Sequence, residues 1–196
     1  MIRHFTAQCK LLLNSLIDED LFYEATKEFS HYNEPCPRCG ASGKLSRYGD
    51  YSRWLVFKID ESAFSRRIRP LRFKCASCDA THALLPDILV PYSPYSLRFK
   101  LSALIAYYER NTTVVAVCEQ LGIAVSTIYA WKELFLSHKD LMLGLLASGK
   151  EPALAFLRRL FGANNCLSDR LRSFFRRYAF SFMQNRSTSA TQSNSP

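Results

Sequence analysis

Apolar residues in the first part of the chain recur at the spacing of a helix. The residues that share this spacing are Phe5, Leu12, Leu13, Leu16, Leu21, Phe22, Ala25 and Phe29. Positions three or four residues apart lie on one face of a helix, so the pattern indicates one or two amphipathic helices. The sequence therefore predicts an N-terminal helical segment over residues 1–33.

Between residues 34 and 90 the pattern changes to short extended runs separated by polar turns. The run KLSRYGDYSRWLVFKI contains Gly49-Asp50, a pair that favours a turn and hence a hairpin. RRIRPLRFK predicts a strand leading into Cys75, and THALLP predicts a closing strand. Because these runs are short and polar, the predicted antiparallel β module needs a metal or covalent staple.

Helical spacing returns after a segment in which prolines are closely spaced. Prolines at this density favour extended backbone and exclude a regular helix, so residues 91–96 are predicted to be a semi-rigid connector. Beyond it the pattern predicts three helices over residues 97–138 and further C-terminal helices over residues 139–184. Residues 185–196 are polar and predicted to be a disordered tail. The predicted fold class is α+β.

The chain of 196 residues has a formal net charge of +9, and this charge is unevenly placed. Residues 1–34 carry a net charge of −3, residues 35–89 of +5 and residues 90–196 of +7. A basic excess of this size favours a polyanionic partner such as nucleic acid. The alternative is a solubilising surface charge without a specific partner.

The start of the chain, MIRHFTAQCKLLLNSLIDED, has acidic flanks and lacks a small-residue cleavage site, unlike a secretory signal. No run reaches the roughly 18 apolar residues that cross a bilayer. We therefore expect a cytoplasmic protein without membrane association, in which thiols stay reduced. In that setting the seven cysteines suit metal ligands with spares better than a disulfide framework. Cys9 and Cys166 are interpreted as small apolar fillers of helices.

Two Cys-x-x-Cys pairs carry the clearest chemistry; their members are Cys36, Cys39, Cys75 and Cys78. Zinc prefers four tetrahedral thiolates, and a Cys-x-x-Cys turn presents two sulfurs at the required spacing. The 35 residues between the pairs exceed the usual spacing of about 15–20, which the predicted hairpin explains. The sequence therefore predicts structural Zn²⁺ in a zinc ribbon. Redox thiols are the alternative, although they require a βαβ setting that the pattern lacks.

His82 follows Cys78 by four residues and has two interpretations. It is either a substitute zinc ligand or an ordinary strand histidine, and the sequence favours the second. Four thiolates would fill a tetrahedral coordination sphere. No position would then stay open for a catalytic water, so the predicted metal is structural.

The stretch VVAVCEQLGIAVSTIYAWKELF predicts two short helices joined by a tight turn. Val114, Val117 and Leu121 form one apolar face, and Gly122 suits the turn between the helices. The second apolar face comprises Ile128, Trp131 and Phe135. Together with the preceding helix, this arrangement predicts a three-helix helix-turn-helix.

This stretch resembles the helix-turn-helix of transposases and recombinases, whose sequence runs like IAxxLGVSxSTVYRW. The matching residues are Val117-Cys118, Leu121-Gly122-Ile123, Ser126-Thr127-Ile128-Tyr129 and Trp131. The wider arrangement is similar to a family of bacterial, mobile-element-associated, transposase-like proteins grouped as a domain of unknown function. Its members have a zinc ribbon, an LLPxxLxPYxxYS-like connector (here LLPDILVPYSPYS) and a helix-turn-helix. The resemblance covers about residues 34–140.

The resemblance implies DNA contacts from the second helix of the pair. The implied candidates are Ser126, Thr127, Tyr129 and Lys132. The sequence departs from the family at three positions: Ala124 replaces a Ser or Thr cap, and Val125 and Ala130 stand where basic residues are common. Since the helix has no arginine in this region, it cannot supply bidentate recognition of guanine, although docking to DNA is still expected.

Two further candidates for DNA contact are Arg67 and Arg69 in the β module. Side chains alternate between the faces of a strand, so these two residues and Arg47 are expected to share one side. A solvated basic face is the alternative to phosphate contact. The last predicted helix also carries arginines beside aromatic residues. We expect its aromatics to pack on the core, with association with anionic membranes as the less favoured alternative.

The acidic residues after the β module do not indicate an active site. They are Glu109, Glu119, Glu133, Asp140, Glu151 and Asp169, all on predicted helices or turns. Two-metal phosphoryl transfer needs converging carboxylates, so we expect no catalysis. The sequence predicts a protein that binds double-stranded DNA in transposition or transcriptional regulation, with a separate transposase or a second copy of the chain as a further partner. A protein–protein interaction module with the helix-turn-helix as scaffold is the alternative.

Overall fold

The computed structural model of the chain describes residues 2–4, 22–23, 26–27, 29–59, 62–86, 89–146, 149–162 and 167–185. This part of the chain contains six strands and five fully described helices, and residues 22–23 and 26–27 are also helical. The mixed α+β class, with a small antiparallel sheet followed by helices, is as predicted. Most of the predicted N-terminal helices and tail, with Cys9 and Cys166, lie outside the described residues.

The strands form two sheets. They are β1 (Ile2–His4), β2 (Leu45–Asp50), β3 (Arg53–Ile59), β4 (Ser62–Ile68), β5 (Leu71–Cys75) and β6 (Thr81–Pro86). The larger sheet has the order β1-β6-β5-β2, in which β1 runs parallel to β6 and the other pairs are antiparallel. Strands β3 and β4 form a separate antiparallel pair. We call residues 34–90, which contain β2–β6, the β module.

Strand β1 is absent from the sequence-based prediction, which placed a helical segment over residues 1–33. Ile2 pairs with Leu84 and His4 with Pro86, so β1 covers an edge of β6 that would otherwise stay unpaired. A strand of three residues is too short to show a period of two in the sequence. The backbone groups on the edge of β6 provide its pairing partners.

The hairpin predicted for KLSRYGDYSRWLVFKI is wrong. Strand β2 pairs with β5, whereas β3 pairs with β4 across the following segment. Gly49 lies within β2 at φ 115°, beside a shift in register, and not in a turn. The physical reason is that Leu45 and Leu55 are buried in different apolar clusters, so β2 and β3 belong to different sheets.

The five helices follow the β module. They are α1 (Leu97–Glu109), α2 (Val114–Leu121), α3 (Val125–Leu145), α4 (Ala153–Gly162) and α5 (Leu167–Tyr178). Helix α3 crosses residue 138, where we predicted a boundary between two helical regions. All five helices contribute to one apolar cluster, and we call residues 97–185 the helical module.

The connector fixes the two modules to each other. The backbone N–H of Val56 in β3 donates to the carbonyl of Pro94 at 2.6 Å, and the N–H of Ser96 donates to the carbonyl of Val56 at 2.9 Å. The ring of Tyr95 stacks on Phe99 at 5.4 Å and meets Trp131 edge-on at 4.9 Å. Residues 91–96 therefore extend the sheet on one side and enter the helical core on the other.

The chain after α5 returns to the core of the helical module. The N–H of Met183 donates to Nδ1 of His138 at 2.9 Å, and Lys100 Nζ donates to the carbonyl of Met183 at 3.2 Å. Phe174 of α5 is buried against Phe180 and Phe182. The aromatic residues of the last helix thus pack inward, which is the arrangement that the sequence favours.

Candidate metal centre and nucleic-acid interface

The two Cys-x-x-Cys segments form the same turn twice. In the first, Cys36 N donates to the carbonyl of Ala41 at 3.0 Å, and Gly40 N donates to the carbonyl of Cys36 at 2.8 Å. In the second, Cys75 N donates to the carbonyl of Ala80 at 2.9 Å, and Asp79 N donates to the carbonyl of Cys75 at 2.9 Å.

The fifth residue of each turn, Gly40 or Asp79, has a positive φ, of 74° and 58° respectively. Gly and Asp are among the residues that adopt this conformation most readily. The local sequence therefore encodes each turn.

The two turns bring four sulfur atoms together. The ligand atoms of Cys36, Cys39, Cys75 and Cys78 all lie within 4.8 Å of one another. The sulfurs of Cys36 and Cys78 are 3.7 Å apart, and those of Cys39 and Cys75 are 3.8 Å apart. These distances exceed a disulfide bond of about 2.05 Å. They match the edge of a tetrahedron with metal–sulfur distances of about 2.3 Å, so the four cysteines can hold a metal ion.

Pairing between strands positions the second turn against the first. Cys75 ends β5 and lies opposite Leu45 of β2. The N–H of Ala76 donates to the carbonyl of Lys44 at 2.8 Å, which continues this pairing into the turn. Cys36 and Cys75 are buried, whereas Cys39 is exposed. The sulfur cluster therefore has one side against the apolar core and one side towards solvent.

His82 contacts the sulfur cluster from β6. Its side chain is buried, and Nε2 lies 3.3 Å from the sulfur of Cys36. Burial lowers the pKa of His82, which favours a neutral ring. His82 is therefore a strand histidine, the interpretation that the sequence favours, and its ring contacts one of the four clustered sulfurs. The spacing of four residues between Cys78 and His82 was the sequence signal for this contact.

The ionisation of the thiols also favours a cation at this position. Burial acts to raise the pKa of Cys36, but the N–H groups of Cys39 and Arg38, with the Cys39 and His82 side chains, outweigh it and lower the pKa to about 5. The N–H of Ala80 lowers the pKa of Cys78, but burial and the neighbouring sulfurs raise it to about 12. Four thiolates this close repel one another, and a bound cation removes that repulsion.

The three arginines that the sequence was expected to place on one side contact two different aromatic rings. Arg47 and Arg69 lie over the ring of Tyr23 at 5.3 and 5.2 Å, whereas Arg67 lies over Trp54 at 5.9 Å. Arg69 also forms two hydrogen bonds to the carboxylate of Asp50, at 3.2 and 3.3 Å. Arg67 therefore contacts a different ring from Arg47 and Arg69. Arg67 donates from Nε to the Ser52 hydroxyl at 3.1 Å.

The four candidate residues on the helices lie in the first two turns of α3. Ser126 and Tyr129 are exposed, and Thr127 and Lys132 are half-buried. The ring of Tyr129 meets Tyr107 of α1 edge-on at 6.0 Å. Lys132 Nζ pairs with the carboxylate of Glu133 at 2.9 Å, which raises the pKa of the lysine.

Helix α3 begins without a side-chain cap. The caps of α1 and α2, Ser96 and Thr113, each accept a hydrogen bond from the third residue of their helix, whereas Ala124 cannot. Its φ of −72° and ψ of 147° are those of an ordinary cap residue, so the backbone is in place and only the acceptor is missing. Amide donors at the start of α3 are therefore left for solvent or a ligand.

Helices α2 and α3 join at a sharp bend. Their axes differ by 102° across residues 122–124, and Gly122 ends α2 at φ 63°. No single helix in the described ranges is long and apolar enough to cross a membrane, and α2 and α3 pass that test of length and composition only as a bent pair.

Residues 36–131 match the model of a family described as Domain of unknown function (DUF6431). No curated protein and no solved structure matches the chain. The matched region begins at Cys36, the first of the four clustered cysteines, and ends at Trp131 in α3. It therefore includes the four cysteines, the connector, α2 and the start of α3, and it confirms the predicted domain of unknown function over these residues.

Proposed function

We propose that the protein is a zinc-binding, DNA-binding protein of the transposase-like type, which acts in transposition or in transcriptional regulation. The observation that carries this proposal is the 102° bend between α2 and α3 across a three-residue turn that begins with Gly122. Helix-turn-helix pairs cross at about 90–120° over a turn of three or four residues that often contains glycine. In such pairs the second helix enters the major groove of DNA.

The packing around the turn supports this assignment. Ile123 is buried within the turn, and the small side chain of Cys118 is buried on α2. Ile128, Trp131 and Phe135 occupy the inner face of α3. The opposite face of α3 is free of core contacts at its start and is available for a ligand.

The exposed start of α3 supplies the proposed DNA contacts. Ser126 and Tyr129 face solvent, and Thr127 and Lys132 flank them. Hydroxyl groups donate to phosphate oxygens and base edges, and a lysine neutralises phosphate. The missing cap at Ala124 leaves backbone N–H groups that suit a phosphate oxygen. These groups dock a helix on DNA with little capacity for base recognition.

The proposed zinc has a structural role. The residues that would hold it are Cys36, Cys39, Cys75 and Cys78, with His82 Nε2 in contact with the Cys36 sulfur. Bound Zn²⁺ would neutralise the thiolates and join the two turns. In this proposal the β module is a zinc ribbon that presents basic side chains to DNA. Arg67 is the better phosphate ligand, because Arg69 already pairs with Asp50.

Binding to double-stranded DNA at increasing salt concentrations tests the proposal. A protein that contacts several phosphates should lose affinity steeply as salt rises. Tyr129→Ala and Lys132→Ala should weaken binding, whereas Tyr32→Ala, which removes an exposed ring outside the helical module, should not. Absence of binding to any duplex at low salt would refute the DNA-binding part. Selection of bound duplexes from a random pool would then show whether the protein reads sequence.

A protein–protein interaction module is the second candidate. Three apolar side chains near the bend, Val115, Val125 and Tyr129, are 53%, 37% and 44% exposed. Exposed apolar groups of this kind suit a protein partner as well as a DNA groove. Binding that is insensitive to salt, together with failure to bind duplex DNA, would favour this candidate.

A further inference from the structure

A concave groove lies between β3, β6 and the connector. Its lining contains none of the four cysteines and no residue of α3, although Arg67, proposed above as a phosphate ligand, contacts its Trp54 wall. Its volume is about 460 Å³, and its walls include Arg53, Trp54, Thr81, Leu85 and Tyr92. Leu85 is buried at the base, whereas Trp54 and Tyr92 are 57% and 90% exposed. Two large aromatic side chains therefore border a cavity without contributing to the core.

The backbone holds Tyr92 outward in an unfavourable conformation. Pro91 and Tyr92 are the central residues of a turn that Ser93 N closes by donating to the carbonyl of Val90 at 3.3 Å. The φ of Tyr92 is 56°, in a region that favours glycine or asparagine. Strain of this kind persists where the surrounding structure enforces it, and it concentrates at binding sites.

Arg53 supports this turn from β3. Its guanidinium donates to the carbonyl of Ser93 and, at 3.5 Å, to that of Val90. Among the described residues no carboxylate forms an ion pair with Arg53. Arg53 therefore holds the turn through its carbonyl groups. Its guanidinium also gives the groove a positively charged wall.

Two more arginines lie outside the groove lining and contact two of its side chains. Arg67 lies over the ring of Trp54 at 5.9 Å, and Arg72 donates to the hydroxyl of Thr81 at 3.1 Å. Neither forms an ion pair within the described part of the chain. The groove lining contains no acidic residue. A ligand with an aromatic ring and negative charge matches both features of the groove.

We propose that this groove binds an unpaired nucleobase of DNA, with the base stacked against Trp54 and Tyr92 and the flanking phosphates at Arg67 and Arg72. This proposal rests on the proposed DNA-binding function and adds a second site to it. A paired base presents only its edge to a protein, whereas an unpaired base exposes its faces for stacking. The ligand is therefore single-stranded or locally unpaired DNA.

Binding of a single-stranded oligothymidylate of about 10 nucleotides, measured by fluorescence anisotropy with full-length zinc-loaded protein, tests the proposal. Tyr92→Gly removes the ring, and glycine adopts the φ of this position freely, so the turn should stay intact. This variant and Trp54→Ala should each weaken binding by roughly 5- to 150-fold. Tyr92→Phe keeps the stacking ring and should bind like the original protein.

Tyr32→Ala serves as the matched control, because it removes a tyrosine ring that is 72% exposed and does not line the groove. It should leave oligothymidylate affinity unchanged. Trp54 also provides a direct signal, since Trp131, the other tryptophan, is only 7% exposed. Stacking of a base should quench the fluorescence of Trp54, and Trp54→Phe should abolish that quenching.

The outcomes separate the groove from the helical site. A fully paired duplex should respond to Tyr129→Ala and not to Tyr92→Gly, whereas the oligothymidylate should respond in the opposite way. Failure to bind duplex DNA, with oligothymidylate binding intact, would contradict the proposed function and still support the groove proposal. Equal oligothymidylate affinity of the original protein and Tyr92→Gly would overturn the groove proposal. Binding of a proline-rich peptide in place of the oligothymidylate, with the same dependence on Tyr92, would also overturn it.

Discussion

In the β module the buried side chains are divided between two small clusters, one of which includes Cys36 and Cys75, whereas the helical module has one continuous core. The fully buried aromatic residues of the helical core are Phe99, Phe135, Phe156, Phe174 and Phe182. Each buried phenylalanine contributes a large apolar area, and the rings add favourable edge-to-face contacts. The helical module can therefore fold through apolar burial, whereas we expect the β module to depend on a metal bound by its sulfurs.

The two modules also differ in where their polar groups lie. In the β module, charged side chains stay at the surface and the buried polar contact joins His82 to a sulfur. In the helical module, Lys100 and His138 are buried and bind the backbone C=O and N–H of Met183, respectively. A buried polar residue thus contacts the sulfur cluster in one module, and buried polar residues fix a returning chain segment in the other. Five predictions test this difference.

Replacing one of the four clustered cysteines should affect the β module much more than the helical module. Cys75→Ser should abolish metal binding and unfold the β module, because structural zinc contributes about 10–16 kcal/mol in small zinc peptides. Metal analysis should find about one zinc per original chain and none in the variant, while circular dichroism still shows helices. Cys118→Ser, at a buried cysteine of the helical core, is the control that should keep its metal. A Cys75→Ser protein that retained zinc would refute the assignment.

Truncating a side chain of the helical core should destabilise the helical module and leave metal binding unchanged. Phe174→Ala removes a fully buried ring that contacts Phe180 and Phe182, and should cost about 3–5 kcal/mol of unfolding free energy. Urea unfolding followed by circular dichroism measures this loss. The zinc content should stay at the original level. A parallel fall in metal content would show that the two modules fold as one unit.

The buried Lys100 should make the stability of the helical module depend on pH. Burial lowers the pKa of Lys100 from 10.5 to about 8. Between these values the unfolded chain keeps a proton that the folded chain has lost, so unfolding free energy should rise with pH and be about 3 kcal/mol lower below pH 8 than above pH 10.5. The fluorescence of Trp131, whose ring lies 5.4 Å from Lys100 Nζ, reports unfolding.

Lys100→Met provides the reference for this measurement, because groups elsewhere titrate equally in both proteins. The unfolding free energy of the original protein minus that of the variant should increase from about pH 8 to pH 10.5. A constant difference would mean that Lys100 keeps its ordinary pKa.

Removing the contact to the Cys36 sulfur should weaken metal binding without abolishing it. His82→Phe deletes the ring nitrogen that lies 3.3 Å from this sulfur. Loss of such second-layer contacts reduces metal affinity by about 10- to 100-fold. Competition with a chromogenic chelator measures the change. His31→Phe, at a histidine that packs on Phe73 at 4.8 Å, is the matched control and should bind zinc normally.

The smallest effect concerns the helix caps. Ala124→Ser supplies the missing cap of α3 and should stabilise the helical module by about 1 kcal/mol. Thr113→Ala removes the acceptor for Ala116 N, at 3.2 Å, and should destabilise it by a similar amount. Thermal unfolding measures both changes, and zinc content should not respond to either. A decrease in stability with Ala124→Ser would show that the hydroxyl cannot reach the first turn.

Local features of the molecule follow from the sequence. Helix α1 begins at Leu97, as expected from apolar spacing, and α2 ends at Leu121 before Gly122, the residue expected in the turn. The identical turns at Cys36 and Cys75 follow from Cys-x-x-Cys and the residue after it. These features depend on interactions between residues a few positions apart, which leave a pattern in the sequence.

Other features could not be read from local patterns. The pairing of β2 with β5 depends on which strands share an apolar cluster, and a strand carries no mark of its partner. The arginines at 67 and 69 were expected on one side, but Ile68 ends β4 between them and they contact different rings. Side-chain alternation predicts a shared face only within one continuous strand.

Local patterns in the sequence were enough to predict the four clustered cysteines, the α+β class and the α2–α3 pair. Only the tertiary structure decided that β1 joins β6, that His82 reaches Cys36, and that Trp54 and Tyr92 border one groove. The physical reason is the separation along the chain. A turn or cap is stabilised by its immediate neighbours, whereas these contacts form only when burial of the two cores brings distant segments together.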